Sequence, residues 1–124
     1  MLPDIVLRYG SYLLACTIAL GLHELAHYAV DSRYAESVTV GVNRYGPYVD
    51  AYFDSSVSPL VIRLGAVAPT LLYTPFIVLS IVSYLQMYPI PDLDLVEWSL
   101  VVTPLVLLAA PTGPDIYAFL NASE

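Results

Sequence analysis

Long apolar stretches alternate with short polar ones along the chain, and the lengths of the apolar stretches set the expected architecture. Residues 9–30 read YGSYLLACTIALGLHELAHYAV, close to the ~20 residues with which a helix crosses ~30 Å of hydrocarbon. A second apolar stretch covers 60–88 and carries no charge over 64–87. A third, 93–110, is only just long enough to span. It holds Asp94 and Glu97 near its start and runs into Pro111, Gly113 and Pro114, which stop or distort a helix. The main water-compatible region lies between the first two stretches. Over 38–54 it alternates at period two, with Val38, Val40 and Val42 on one face and Tyr48, Asp50, Tyr52 and Asp54 sharing another, about a turn-rich Asn43-Arg44-Tyr45-Gly46. That pattern predicts a β-hairpin. The expected fold is an all-α membrane protein, with three transmembrane helices and a small β-hairpin between the first and second. Residues 116–120 read as a short apolar tail along the interface, and there is no internal repeat.

Composition fits this picture and narrows the chemistry. With 124 residues, 58% of them hydrophobic, and a mean hydropathy of +0.71, the chain is too apolar for an ordinary soluble domain and has the size of one domain. A removable signal peptide is not expected, because the first apolar stretch lacks a basic leader and a small-residue cleavage site. The single cysteine, Cys16, rules out an internal disulfide and a cysteine-rich metal site. With no basic neighbour in sequence it reads as a small packing residue, not a nucleophile. Eleven acids against four arginines and no lysine give a net charge of −7, which argues against nucleic acid or anionic lipid as the main ligand. An acidic, lysine-free composition also resembles that of proteins from salt-loving organisms.

The candidate chemistry lies inside the first stretch. His23-Glu24-Leu25-Ala26-His27 is an HExxH pattern. On a helix, positions four apart share a face, so both imidazoles can direct a nitrogen at one tetrahedral Zn2+. Glu24 then stands beside the metal, where a carboxylate acts as general base toward water in metal-assisted peptide hydrolysis. His23 and His27 are the only histidines in the chain, and their falling into this spacing by chance is on the order of one in a thousand. Ionisable side chains at membrane depth are costly and mark functional sites by default. In the second stretch, Pro69 and Pro75 each remove a backbone donor and bend the helix, either as plain structural kinks or to shape a cavity. Gly65, Ala66 and Ala68 permit close helix approach.

Orientation follows from the arginines. Arg33 and Arg44 lie in the first connection and Arg63 at the start of the second stretch, while the second connection has none. The positive-inside rule therefore puts the hairpin in the cytoplasm and the N-terminus, at Met1, outside, with Arg8 the dissenting charge. His23 and His27 sit ~20–27 Å along the first span, and three crossings bring Asp115 back to about that depth. A hydrolytic zinc takes three protein ligands and keeps one position open, so Asp115 is the candidate third ligand. Its other reading is a helix-capping acid after a Pro-Gly turn. Asp31, four residues beyond His27, is the rival ligand. Asp50 and Asp54 reach the site only if the hairpin folds back, and Asp92, Asp94 and Glu97 fall on the far side of the bilayer. Thr112 and Asn43 are the polar side chains to consider as transition-state donors.

The HELAH helix, the hairpin after it, the small-residue second span and a third span ending in a proline-rich turn with aspartate resemble the three-helix core of the site-2 protease family, the intramembrane zinc metalloproteases, over nearly the whole chain. Where that family has Asn-x-x-Pro-x-x-x-Leu-Asp-Gly, this chain has Ala-Ala-Pro-Thr-Gly-Pro-Asp-Ile over 109–116. The resemblance implies Zn2+ held by His23, His27 and Asp115, Glu24 as general base, and a hairpin that presents substrate. The activity it implies is that of a zinc-dependent endopeptidase, intramembrane or membrane-proximal, whose partners are the lipid bilayer and a membrane protein or peptide substrate, with no nucleic acid. The alternative is a non-catalytic zinc-binding membrane protein, a pseudoprotease or regulator, favoured by the small size and the missing asparagine. A metal-conducting module fits less well, since one histidine pair and few intramembrane acids make a poor path.

Overall fold

The computed structural model describes residues 2–122, so the expected position of Met1 lies outside the described residues. The chain forms α1 (Leu2–Tyr34), β1 (Ser37–Asn43), β2 (Gly46–Tyr52), α2 (Pro59–Ala66), α3 (Ala68–Met87), α4 (Leu95–Ala109) and α5 (Gly113–Leu120). Three helical runs, Pro3–Tyr34, Ala68–Met87 and Leu95–Leu120, are long and apolar enough to cross a membrane.

Helix α1 runs beyond the 9–30 expected from hydropathy at both ends. Pro3 stands in the first turn, where a missing N–H costs nothing, and Asp4 and Arg33 complement the dipole at the two ends. The hairpin follows at once. Its strands pair antiparallel, with Val38 opposite Ala51, Val40 opposite Val49 and Val42 opposite Pro47 on one face, and Thr39 opposite Asp50 and Gly41 opposite Tyr48 on the other. Gly46 closes the turn at φ 118°, a backbone region closed to most side chains. β2 ends at Tyr52, so Asp54 belongs to the connection and not to the strand. There it accepts hydrogen bonds from the Ser55 amide (2.7 Å) and the Ser56 hydroxyl (2.8 Å).

The second apolar stretch, expected as one span over 60–88, folds as two helices. Ser58 caps α2, accepting from the Leu60 amide at 3.3 Å, with Pro59 in the first turn. The helix stops at Ala66, Val67 breaks the run, and α3 starts at Ala68. Helix α4 begins with a reciprocal cap, the Glu97 amide to Asp94 (2.8 Å) and the Asp94 amide to Glu97 (3.1 Å), and ends before Pro111. Residues 116–120, expected as an interfacial tail, belong to a true helix, α5, with Thr112 at its N-cap and Pro114 in its first turn.

Helices α1 and α4 run side by side in the same direction, with Arg8 and Glu97 3.8 Å apart near their starts. α3 returns antiparallel, tied to α1 by the Tyr73 hydroxyl donating to the Leu22 carbonyl and to α4 by the Thr70 hydroxyl donating to the Ala109 carbonyl, both at 2.6 Å. Arg63 fastens α2 to α5, its Nε donating to the Phe119 carbonyl at 3.1 Å with the guanidinium 5.7 Å from the Phe119 ring. Among the described residues the buried ones are Ala19, His23, Ala26 and His27 of α1 and Gly65, Ala66, Ala68 and Pro69 around the α2–α3 break. The large aliphatic side chains point outward, Leu13 and Leu79 being 62% and 63% exposed.

Candidate metal centre

The helical spacing that puts residues i, i+4, i+7 and i+8 on one face buries Ala19, His23, Ala26 and His27 together. The two alanines let α4, α2 and α3 come close, and the imidazoles fill what remains. His23 is 1% exposed and His27 6%, so each ring nitrogen needs a partner.

Two of the four ring nitrogens find backbone carbonyls. Nδ1 of His23 donates to the Leu108 carbonyl at 3.1 Å and Nδ1 of His27 to the Gly65 carbonyl at 2.8 Å. A carbonyl can only accept, so both protons sit on Nδ1 and each neutral ring offers its Nε2 lone pair. Those two Nε2 atoms lie 3.3 Å apart. Oδ2 of Asp115 is 3.3 Å from Nε2 of His23, and Oδ1 is 3.1 Å from Nε2 of His27.

A tetrahedral ion with bonds of ~2.0–2.1 Å has neighbouring ligand atoms ~3.3–3.4 Å apart, which the two Nε2 atoms match, while Asp115 approaches them with a different oxygen for each histidine. Three lone-pair donors facing one another are also short of a positive partner, because a proton can bridge only two of them whereas a cation between them takes a lone pair from each. His23, His27 and Asp115 thus form a group that could hold a metal ion, their ligand atoms all within 4.8 Å of one another.

Asp115 reaches this point because α5 begins where it does. It is the third residue of that helix, and its Oδ2 accepts from the Thr112 amide at 2.7 Å. One carboxylate thus both caps α5 and faces His23 and His27, the two positions expected as alternatives for this residue.

The remaining sequence-derived candidates distribute around a cavity of about 570 Å³ bounded by α1, β2, α2 and α5. Glu24 lines it, half-buried, across from Val49 of β2. Asn43, Asp50 and Thr112 line it as well. Asp31, the rival ligand, is half-buried on the cavity wall with its carboxylate packed on Gly65, so tightly that a Cβ added there would collide with it. It is not part of the three-residue group. Asp54 stays with its serines in the connection, and Asp94 and Glu97 lie at the opposite end, capping α4 and facing Arg8.

Sequence reasoning did not single out the backbone partners of the site, the carbonyls of Gly65 and Leu108. Main-chain groups carry no residue-type signature. Comparison of the chain with family models, with curated proteins and with solved structures gave no match. The functional reading therefore rests on the geometry of the site.

Proposed function

We propose that this protein is a zinc-dependent endopeptidase that hydrolyses a peptide bond within or beside the bilayer, in the manner of the site-2 protease family. The observation that carries the reading is the convergence of Nε2 of His23, Nε2 of His27 and the Asp115 carboxylate at ligand spacing, at the edge of a cavity that Glu24 also lines. Zinc held by those three residues would supply a Lewis acid for the scissile carbonyl and acidify the attacking water.

Glu24 does the proton work. It follows His23 by one residue, which turns it about 100° around the helix from that ligand and toward β2. Its carboxylate takes the proton of the attacking water and delivers it to the leaving nitrogen. A peptide bond in a helix is shielded by its own hydrogen bonds, so the substrate segment has to enter the cavity extended. There the wall supplied by β2, from Pro47 to Ala51, runs alongside it.

Three crossings by Pro3–Tyr34, Ala68–Met87 and Leu95–Leu120 make this a multi-pass membrane protein. Arg33, Arg44 and Arg63 gather at the hairpin end, and Arg8 at the other end faces Glu97. The hairpin and the metal centre accordingly face the cytoplasm, with the N-terminus outside. The substrate class is a membrane protein or a peptide at its surface.

The test is zinc content together with cleavage of a panel of membrane-spanning peptides by the detergent-purified wild type and Glu24→Gln. The expected result is about one zinc per chain in both proteins, with cleavage reduced by ~10²–10⁴-fold in the variant. Full cleavage by Glu24→Gln removes Glu24 as the base. A wild type that holds zinc and cleaves none of the peptides supports a non-catalytic zinc-binding membrane protein instead.

A further inference from the structure

Asp115 is the one member of the metal group that does not come from α1, so the group is complete only while α5 keeps its place beside that helix. The Thr112 amide fixes the Asp115 carboxylate relative to α5, at 2.7 Å, but not α5 relative to α1. Among the described residues, α2 is the element whose backbone α5 packs against. On one side α5 lines the cavity, through Pro114, Asp115 and Ala118, while Ile116, Tyr117 and Leu120 are exposed. The polar hold on α2 comes in the last turn, where helix carbonyls run out of helical partners. There Nε of Arg63 donates to the Phe119 carbonyl at 3.1 Å, and the guanidinium lies 5.7 Å from the centre of the Phe119 ring. Its positive charge also suits the negative end of the helix.

We propose that Arg63 is a positioning residue of the metal centre, which holds Asp115 against the histidine pair by tying the last turn of α5 to α2. The inference rests on the metal-centre reading above. Arg63 stands two residues before Gly65, whose carbonyl accepts from Nδ1 of His27 at 2.8 Å. Phe119 stands four residues after Asp115, just over one helical turn. The helix that orients His27 and the helix that carries Asp115 are thus linked through one side chain, and the ring of contacts closes where Oδ1 of Asp115 meets Nε2 of His27 at 3.1 Å. Without that link α5 is tethered at its start, by the α4–α5 turn, and a bound cation has to hold the carboxylate in place at a cost in affinity. Lysine is no substitute, since it lacks both the planar face and the fixed Nε–H of a guanidinium. Arg44 provides the contrast. It stacks on Tyr45 at 4.7 Å, but both residues belong to the hairpin turn and join no two helices.

Three readouts separate positioning from plain stability. Zinc affinity is measured by competition with a chelator. The visible bands of the Co2+-substituted protein report coordination geometry, weakening when a tetrahedral site gives way to a more hydrated one. Melting of the zinc-free protein reports the fold. Arg63→Ala is expected to bind zinc ~10-fold more weakly and to show weakened cobalt bands. Arg63→Lys should fall between that variant and the wild type, as should Phe119→Leu, which keeps the carbonyl and loses the ring. Arg44→Ala should alter neither zinc affinity nor cobalt bands. Wild-type affinity and bands in Arg63→Ala, whatever its zinc-free melting midpoint, would make Arg63 a structural clip and overturn this assignment alone, as would an equal loss in Arg44→Ala. Should Arg63→Ala fail to fold, wild-type affinity and bands in Arg63→Lys and Phe119→Leu would overturn it in the same way. A wild type that takes up no zinc overturns the metal-centre reading and this assignment with it.

Discussion

The two halves of α1 follow opposite rules. From residue 3 to 18 no position is buried, and Leu7, Leu13 and Leu14 are 61–67% exposed. From 19 to 27 the helix buries Ala19, His23, Ala26 and His27. In a water-soluble protein the leucines would be inside and the histidines outside. Here the close-packed part is made of alanine, glycine, proline and imidazole, and the large aliphatic side chains make the outer surface. Lipid tails are as apolar as leucine, so burying a leucine gains little from such a solvent, whereas close backbone approach and satisfied hydrogen bonds gain more. The inner half is consequently the part whose chemistry is specified residue by residue.

The largest effect that tests this contrast is on the metal. His23→Ala and Asp115→Ala each remove one member of the proposed zinc site and are expected to abolish stoichiometric zinc, together with any rise in thermal midpoint that zinc binding would give. Leu13→Ala, on the same helix as His23 but in the outer half, should keep both. Zinc per chain and melting with and without a chelator decide it. Full zinc in both ligand variants would move the site away from this triangle.

A smaller effect is expected at Gly65. A Cβ there meets the Asp31 carboxylate, so Gly65→Ala has to move backbone or push Asp31 aside, at a cost of ~1–3 kcal/mol, and the carbonyl that holds His27 moves with it. Asp31→Ala in the Gly65→Ala background should recover much of the loss, a coupling that a double-mutant cycle measures. Leu79→Ala, 63% exposed on α3, is expected to stay within ~0.5 kcal/mol in the same detergent. If Leu79→Ala proves as costly as Gly65→Ala, the outer surface is a packed interface and the contrast fails.

What could be read from the sequence follows the same division. His23, Glu24 and His27 announce themselves by residue type and spacing, and Asp115, expected from the order and lengths of three apolar stretches, is the carboxylate that the structure brings to the two histidines. The hairpin was legible from alternation about Asn43 to Gly46, and its register then sets Val40 opposite Val49. Hydropathy hid the break at Val67, since Gly65, Ala66, Val67 and Ala68 are all compatible with a continuous apolar span and Pro69 alone reads as a kink. Helix α5 was hidden for a related reason. Pro111, Gly113 and Pro114 read as a stop, yet Thr112 as cap, Pro114 in the first turn and Asp115 at the third position also compose a helix start. Prolines mark both ends of helices, and only the packing of α5 against α2 through Arg63 and Phe119 selects between the two.

The smallest expected effect lies at the opposite extreme from the metal centre, at a fully exposed carboxylate. Asp54 accepts from the Ser56 hydroxyl and the Ser55 amide in the connection between β2 and α2, and these hydrogen bonds hold its carboxyl below the usual range, the Ser56 hydroxyl contributing most. A folded-state pKa below the unfolded value of ~3.9 means that the contribution is complete above that pH and disappears as pH falls through the depressed value. Asp54→Ala should therefore melt slightly below the wild type at neutral pH, with the difference closing only in acid, below about pH 4. A gap that persists in acid would assign the effect to the shape of the turn and not to the ionised carboxylate. Because the site is solvated, salt and water dilute what those hydrogen bonds contribute, whereas the same kind of bond from Nδ1 of His27 to the Gly65 carbonyl, made out of reach of water, fixes a tautomer.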